Sequence, residues 1–182
     1  MYDFHENKSR YFEIQRWVTA QYIIPFLELP AQASLRVLEV GCGEAGVLKA
    51  FVDQGHTGMG IELSSTRVEM ANSFLSDDVK QGKVEIVNAN IYDIDPASDP
   101  KFQFDLIVLK DVIEHIPDQA RFMAKLKQFL KPGGKVFFAY PPWWMPFGGH
   151  QQICKSKLLS KLPWFHLLPM GLYVAFLRMM GE

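Results

Sequence analysis

Five short segments made almost entirely of apolar residues alternate with amphipathic segments along most of this 182-residue chain. Such runs are typical of parallel strands buried on both faces, and they cover residues 35–40, 58–61, 84–87, 104–109 and 135–140. Helical patterns lie between them at residues 45–54, 65–76 and 119–130, and a Pro132-Gly133-Gly134 turn leads into the last strand. Because crossovers between parallel strands are right-handed, the alternation predicts an α/β fold, a doubly wound three-layer sandwich around a mostly parallel five-stranded sheet.

The length and composition of the chain predict one domain, residues 1–182, with three parts. With 48% hydrophobic residues the chain can bury one sizeable core, and it is too short for two ordinary domains. Residues 1–30 contain an amphipathic helical pattern that Pro25 weakens near its end. Residues 35–140 hold the alternating core, and residues 141–182 form an aromatic loop followed by an apolar, helix-like tail.

The charge balance and the cysteines exclude several classes of partner. The formal net charge of −1 gives no support to a nucleic-acid or anionic-membrane partner. Cys42 and Cys154 form no C-x-x-C pair, so we predict no metal site, and the absence of a secretory signal pattern indicates the cytoplasm. No apolar run approaches the roughly 20 residues that a transmembrane helix needs, so we predict no membrane span.

The stretch LEVGCGEAG, residues 38–46, fits the pattern G-x-G-x-x-G between a strand and a helix. Glycines there let the backbone approach a ligand and point free N–H groups at its polar atoms. Glu62, at the end of the second strand, can accept hydrogen bonds from ribose hydroxyls. Both features suit a nicotinamide dinucleotide or another adenosine-containing ligand. Glu39 favours an adenosine-containing ligand other than the dinucleotide, because its carboxylate would repel a pyrophosphate and attract a sulfonium.

Five segments in order resemble the motifs of the class I S-adenosylmethionine-dependent methyltransferases, in their small-molecule branch. The segments, spread over residues 35–152, are EVGCGEAG, GIELS, NANIYDI, FDLIVLKDVIEHIPD and LKPGGKVFFAYP. The resemblance implies a Rossmann-like fold, S-adenosyl-L-methionine as cofactor and S-adenosyl-L-homocysteine as its product. It also implies a set of cofactor-binding residues: Glu39, Gly41, Cys42, Gly43, Glu62, Leu63, Asn90, Ile91, Lys110 and Asp111.

Each part of the cofactor has its expected partners under this resemblance. The glycine loop would line the methionine part, and the backbone of residues 110–111 would lie near the sulfonium and the methionine carboxylate. Glu62 would bind both ribose hydroxyls, with Leu63 against the adenine. Asn90 and Ile91 would reach the adenine edge, although the family more often has aspartate at position 90. Two simpler interpretations stay open: Glu39 caps local amides, and Asn90 closes a turn.

The expected reaction is methyl transfer to an oxygen or nitrogen atom of a small organic metabolite. A side-chain base is useful only where the acceptor must lose a proton, and histidine suits that role. The candidates are His150 and His115, of which we favour His150, and each has the alternative of a purely structural role. Aromatic side chains near the expected mouth favour an apolar or aromatic acceptor, and they are Trp143, Trp144 and Phe147.

The N-terminal helix allows two interpretations. In similar enzymes a leading helix closes the donor pocket, so Tyr2, His5 and Tyr11 would exclude water. Alternatively, Tyr11, Trp17 and Val18 pack on the sheet.

The sequence departs from the family in strand number, since five strands are predicted where the family has seven. We therefore expect either a fragment or a short member, with the edge of the fifth strand and the apolar tail available for a homodimer. Two alternative functions remain: a non-catalytic S-adenosylmethionine-binding domain and a nicotinamide-dependent oxidoreductase.

Overall fold

A computed structural model describes residues 7–30, 34–148 and 154–182 of the chain. Its sheet has the strands β1 (Arg36–Val40), β2 (Thr57–Glu62), β3 (Val84–Asn88), β4 (Phe104–Lys110) and β5 (Leu130–Ala139). All pairs are parallel and the strand order is β3-β2-β1-β4-β5. This confirms the predicted doubly wound sheet. The winding direction reverses between β1 and β4, so their carboxyl ends flank the crevice in which such folds bind ligands.

Helices cover both faces of the sheet. They are α1 (Lys8–Val18), α2 (Ile24–Phe26), α3 (Gly46–Asp53), α4 (Ser65–Phe74), α5 (Ser76–Lys80) and α6 (Gln119–Lys127). A further helix, α7 (Met170–Met179), belongs to the C-terminal segment. Alternate residues of β1 enter different cores, because side chains on a strand point to opposite faces. Val37 packs in a core with Phe12 and Phe51, whereas Leu38 packs in a second core with Phe122. Two cores around one sheet give the predicted three layers.

The N-terminal helical segment buries a different face from the one predicted. A π-helical turn, Thr19–Ile23, separates α1 from α2, and the residue before Pro25 donates its N–H to Thr19 O, five residues back. The buried residues of α1 and this turn are Phe12, Thr19 and Ile23, whereas Trp17 is 56% exposed. The prediction that Trp17 packs on the sheet was therefore wrong, because Trp17 lies five residues after Phe12 and so about 140° around α1 from that buried side chain.

The start of β5 also differs from the prediction. Leu130 already pairs with Phe104 of β4, and regular pairing resumes only where Lys135 pairs with Leu106. The predicted Pro132-Gly133-Gly134 turn thus lies inside the strand as a bulge, with Gly133 at a φ of 79°. A bulge inserts extra residues without ending the strand, which an apolar pattern beginning at residue 135 does not reveal.

The chain divides into two compact units, Met1–Ala139 and Tyr140–Glu182, at the point where the composition changes. Within the second unit, Trp164 N–H donates to Pro146 O, and the Glu182 carboxylate accepts from the amides of Lys155 and Ser156. The apolar tail contains two 3₁₀ turns and α7 in place of a long helix. Among the described helices, none has the length and apolar character needed to cross a bilayer.

Candidate functional site

The glycine loop makes a tight turn between β1 and α3. Gly41 and Gly43 have φ angles of 68° and 53°, a backbone conformation that side chains rarely adopt. The amides of Gly41 and Cys42 both donate to Ile61 O, which fixes the loop on the end of β2. A Cβ at Gly41 would lie 2.8 Å from Val112 Cγ2, so glycine is needed for the loop to approach the segment after β4.

A cavity of about 90 Å³ opens above this loop. The glycine loop and the start of α3 form its floor, while α1, α4 and the end of β4 supply its walls. Its lining comprises Tyr11, Phe12, Gln15, Glu39, Gly41, Cys42, Gly43, Glu44, Ala45, Gly46, Val47, Arg67, Lys110 and Asp111. The structure thus brings together at one cavity six of the ten predicted cofactor residues: Glu39, Gly41, Cys42, Gly43, Lys110 and Asp111.

Glu62 connects the glycine loop to the end of β2. Its Oε2 accepts from the Gly43 amide at 2.9 Å, and its Oε1 accepts from the Ser64 amide at 2.9 Å. The residue is only 8% exposed, so these two bonds fix the orientation of the carboxylate. Each carboxylate oxygen has a second lone pair, so Glu62 can still accept from two ligand hydroxyls. The neighbouring Leu63 is 70% exposed and presents an apolar side chain beside it.

Glu39 is a buried carboxyl group beneath the glycine loop. It is 4% exposed, and its Oε2 accepts from the Leu48 amide at 2.8 Å. Burial raises the pKa of Glu39 to about 8, against the lowering effects of that hydrogen bond and of the Lys110 ammonium. The simpler interpretation, that Glu39 caps a local amide, is therefore part of its role. The other carboxyl oxygen is available to the cavity that Glu39 lines.

The remaining predicted cofactor residues occupy varied environments. The Lys110 ammonium forms an ion pair with the Asp111 carboxylate, and Asp111 has a φ of 56° at the end of β4. Burial raises the pKa of the Cys42 thiol well above its usual range. Asn90 accepts from the Tyr92 amide and so closes a turn, and the Ile91 side chain is buried in the second core. Only the backbone of Ile91 is therefore suited to ligand contact.

The two histidines predicted as bases differ in what the structure describes. His115 is an exposed residue at the end of a 3₁₀ turn after β4, and its amide donates to Val112 O. It is not among the residues that line the cavity. His150, together with Tyr2 and His5 of the predicted lid, lies outside the described residues.

Several site residues escaped the sequence-based prediction. Glu44, inside the glycine motif, is buried and forms an ion pair with Lys8 of α1 at 3.0 Å. Arg67 of α4 extends toward Gly43. Asn88 donates through Nδ2 to the carbonyls of Glu62 and Leu63, both at 2.9 Å, and so holds the end of β2 in place. Glu44 and Asn88 lie within two of the quoted motifs, which was the available signal in the sequence, whereas Arg67 lies outside all of them.

Helix α1 approaches α3 closely enough to form one wall of the cavity. A Cβ at Gly46 would lie 2.5 Å from Phe12 O and 2.9 Å from Gln15 Cβ. Burial raises the pKa of Tyr11, whose phenol lines the cavity on the same helix. Tyr11 therefore borders the site.

Comparison with known proteins places this site in a family. A family model described as a methyltransferase domain matches residues 12–170. A ubiquinone biosynthesis O-methyltransferase of Thiobacillus denitrificans is 36% identical over 107 residues, covering 59% of this chain and 44% of that protein. One of the same description from Pasteurella multocida is 33% identical over 111 residues, covering 57% and 45%. The matches span less than half the length of these relatives.

Solved structures share the fold. A structure from Methanococcus maripaludis, described as an S-adenosyl-L-methionine-dependent methyltransferase, superimposes with a TM-score of 0.59 at 20% identity, covering 73% of this chain and 59% of that one. The structure of PKMT2 from Rickettsia typhi in complex with AdoHcy gives a TM-score of 0.50 at 28% identity, covering 58% and 20%. The first of these likenesses supports the Rossmann-like architecture alone.

Proposed function

Because this chain belongs to the methyltransferase-domain family of class I S-adenosylmethionine-dependent enzymes, we propose that it transfers a methyl group from S-adenosylmethionine to a small organic molecule. The observation that carries the proposal is the convergence of the glycine loop, Glu62 and Glu39 at the carboxyl ends of β1 and β2. We expect the methylated atom to be oxygen or nitrogen, and the O-methyltransferase relatives favour oxygen.

The residues present fit the cofactor. Glycines at positions 41 and 43 allow the tight turn of the loop, and the carboxylate of Glu62 is held with lone pairs for ribose hydroxyls. Exposed Leu63 offers an apolar surface for the adenine, and Glu39 supplies a carboxyl group for a positively charged ligand. A cation in this cavity stabilises the ionised form of Glu39 and a pyrophosphate does not, which argues against a nicotinamide dinucleotide.

The protein's contribution to the reaction would be mainly positioning. The bound sulfonium supplies an activated methyl group for in-line displacement by the acceptor. Holding two reactants in near-attack geometry lowers a barrier by about 7–11 kcal/mol. The wall formed by Tyr11 and Gln15 of α1 would exclude water from this cavity, in line with a lid role for the helix.

The chemical class of the acceptor is proposed from the aromatic side chains that follow β5. Trp143, Trp144 and Phe147 are exposed in the segment that follows β5, so we expect an apolar or aromatic acceptor. We favour His150 over His115 as the group that handles the acceptor's proton. The position of β5 at the edge of the described sheet and the exposed apolar side chains of the tail, such as Met170 and Leu172, make a homodimer a further expectation.

Calorimetric titration with S-adenosylmethionine, S-adenosylhomocysteine and reduced nicotinamide dinucleotide tests the donor site. We expect the first two to bind and the third not to bind. Binding of the dinucleotide alone, or of none of the three to a chain shown by circular dichroism to be folded, would contradict the proposal.

Turnover tests the catalytic part. Transfer of a radiolabelled methyl group to a panel of phenols, catechols and amines should give product with at least one acceptor. The variants His150→Ala and His115→Ala, assayed on that acceptor, then identify the base. An unchanged rate for His150→Ala would remove this histidine from acceptor handling, and binding without turnover on a broad panel would favour a non-catalytic domain.

A further inference from the structure

We infer that Glu39 distinguishes the sulfonium donor from its neutral thioether product by exchanging its own proton for the positive charge of the donor. In this exchange the O–H bond of the Glu39 carboxyl group breaks, the proton passes to solvent, and the carboxylate left behind faces the donor's charge. The inference rests on the proposed function, because it concerns the same cavity and the same ligand.

The position of Glu39 makes it accessible to ligand charge while keeping it out of bulk water. The residue lies at the centre of the sheet, paired with Gly60 of β2 and Val108 of β4, and it is 4% exposed. Its one described hydrogen bond comes from the Leu48 amide, a donor that serves the protonated and the ionised carboxyl group alike. Since the residue lines the cavity, charge placed there acts on Glu39 through little intervening water.

The charges around the cavity balance without Glu39. Three carboxylates border the site or bind its lining, and three cationic groups offset them: Glu44, Glu62 and Asp111 against Lys8, Arg67 and Lys110. The Cys42 thiol and the Tyr11 phenol, which also face this region, have raised pKa values and stay neutral at pH 7. With Glu39 protonated the cluster is neutral, and with Glu39 ionised it carries one negative charge.

That single negative charge is what a sulfonium compensates and a thioether does not. Donor and product both carry an amino group and a carboxylate on their amino-acid part, so they differ by the methyl group and its positive charge. Burial already raises the pKa of Glu39 to about 8, so most of the ligand-free protein holds the proton at pH 7. A cation in the cavity favours the ionised form and lowers this pKa again.

The consequence is a pH-dependent preference for the donor. If the donor binds the ionised form, its apparent affinity scales with the ionised fraction of Glu39. With a pKa of about 8, that fraction rises about tenfold between pH 7 and pH 9, and the donor affinity rises with it. The neutral product binds the protonated and the ionised form of Glu39 alike, so its affinity does not change with the ionised fraction.

Calorimetry of the full chain with both ligands from pH 6 to pH 9 tests the inference. We expect the affinity for S-adenosylmethionine to rise about tenfold from pH 7 to pH 9, beyond any change seen for S-adenosylhomocysteine. Repeating the pH 7 titration in two buffers of different ionisation enthalpy should reveal release of close to one proton with the donor alone.

The variant Glu39→Gln should abolish both the pH slope and the proton release, while its amide oxygen still accepts from Leu48. Glu44→Gln is the matched control: it removes another buried carboxylate of the same cavity, so it should weaken donor binding and keep a pH slope. The midpoint of that slope should move to lower pH, because the Glu44 charge helps to raise the pKa of Glu39. The ligands' own amino groups titrate equally with wild type and variant and cancel in the comparison.

Two results would overturn the inference while leaving the proposed function in place: equal pH slopes for wild type and Glu39→Gln, or donor binding to wild type without proton release. The second result needs no variant, so it decides the question even if Glu39→Gln fails to fold. Failure of both ligands to bind wild type at every pH would instead overturn the proposed function, and this inference with it.

Discussion

The Gly43 amide donates to Glu62 Oε2 at 2.9 Å, so the glycine loop and the end of β2 are joined by a buried, charge-assisted hydrogen bond. This bond makes the shape of the loop and the orientation of the carboxylate interdependent. A change at Glu62 should therefore affect the ligand twice, through lost contacts and through a displaced loop.

We expect Glu62→Ala to weaken binding of S-adenosylmethionine and S-adenosylhomocysteine by about ten- to a hundredfold, since a hydrogen bond to a charged group contributes about 1.5–3 kcal/mol. Glu62→Gln should lose less, because its amide oxygen replaces one of the two acceptors. Calorimetry measures both variants, and equal affinities for Glu62→Ala and wild type would remove Glu62 from the site.

Asn88 should support binding without contacting the ligand. Its side-chain amide donates to the carbonyls of Glu62 and Leu63, so Asn88→Ala frees the end of β2. We expect affinity for both ligands to fall several-fold, with a loss of stability of about 1 kcal/mol. Asn72→Ala is the control, because it removes an amide bond to Val68 O within α4. If Asn72→Ala weakens ligand binding as much as Asn88→Ala, Asn88 has no specific role in anchoring the end of β2.

Gly46→Ala should destabilise the protein although alanine is normally the better helix former. The added Cβ would meet Phe12 O at 2.5 Å and force α1 away from α3. Overpacking of this kind costs about 1–3 kcal/mol, which exceeds the helix-propensity gain of about 1 kcal/mol. Gly171→Ala in α7, where a Cβ meets nothing within 4 Å, should be neutral or stabilising. Denaturant unfolding compares them, and a more stable Gly46→Ala would contradict the close packing of α1.

Stability of the ligand-free protein should fall as the pH rises from about 5 to 8. The folded-state pKa of Glu39 is raised to about 8 from an ordinary value of 4.5, so the folded protein retains a proton that the unfolded chain releases. The stability linked to this proton is full below the unfolded pKa and is lost as the pH rises through the folded pKa. The loss should be on the order of a few kcal/mol.

Unfolding in urea at pH 5 and pH 8 measures this loss, and Glu39→Gln should remove most of it. The comparison needs no ligand and is independent of the donor-binding titrations. A pH dependence of equal size in wild type and Glu39→Gln would assign the effect to other groups.

Local patterns made the sheet predictable. The five strands, their parallel arrangement and the turn at Gly41–Gly43 all depend on features within a few residues of one another: apolar runs, glycines and strand-end acids. The same locality explains the errors. Trp17 is apolar yet lies on the exposed side of the first helix, and the bulge at Gly133 extended β5.

The sequence by itself determined that this chain folds as a doubly wound sheet with a glycine loop and a strand-end glutamate, because each of these features depends on residues that are close together in the chain. Only the tertiary structure decided how α1 lies over the loop, that Lys8 pairs with Glu44 and that Asn88 holds the end of β2. It also decided that the pKa of Glu39 is raised, because the burial of a carboxyl group depends on residues that are distant in the chain and pack around it.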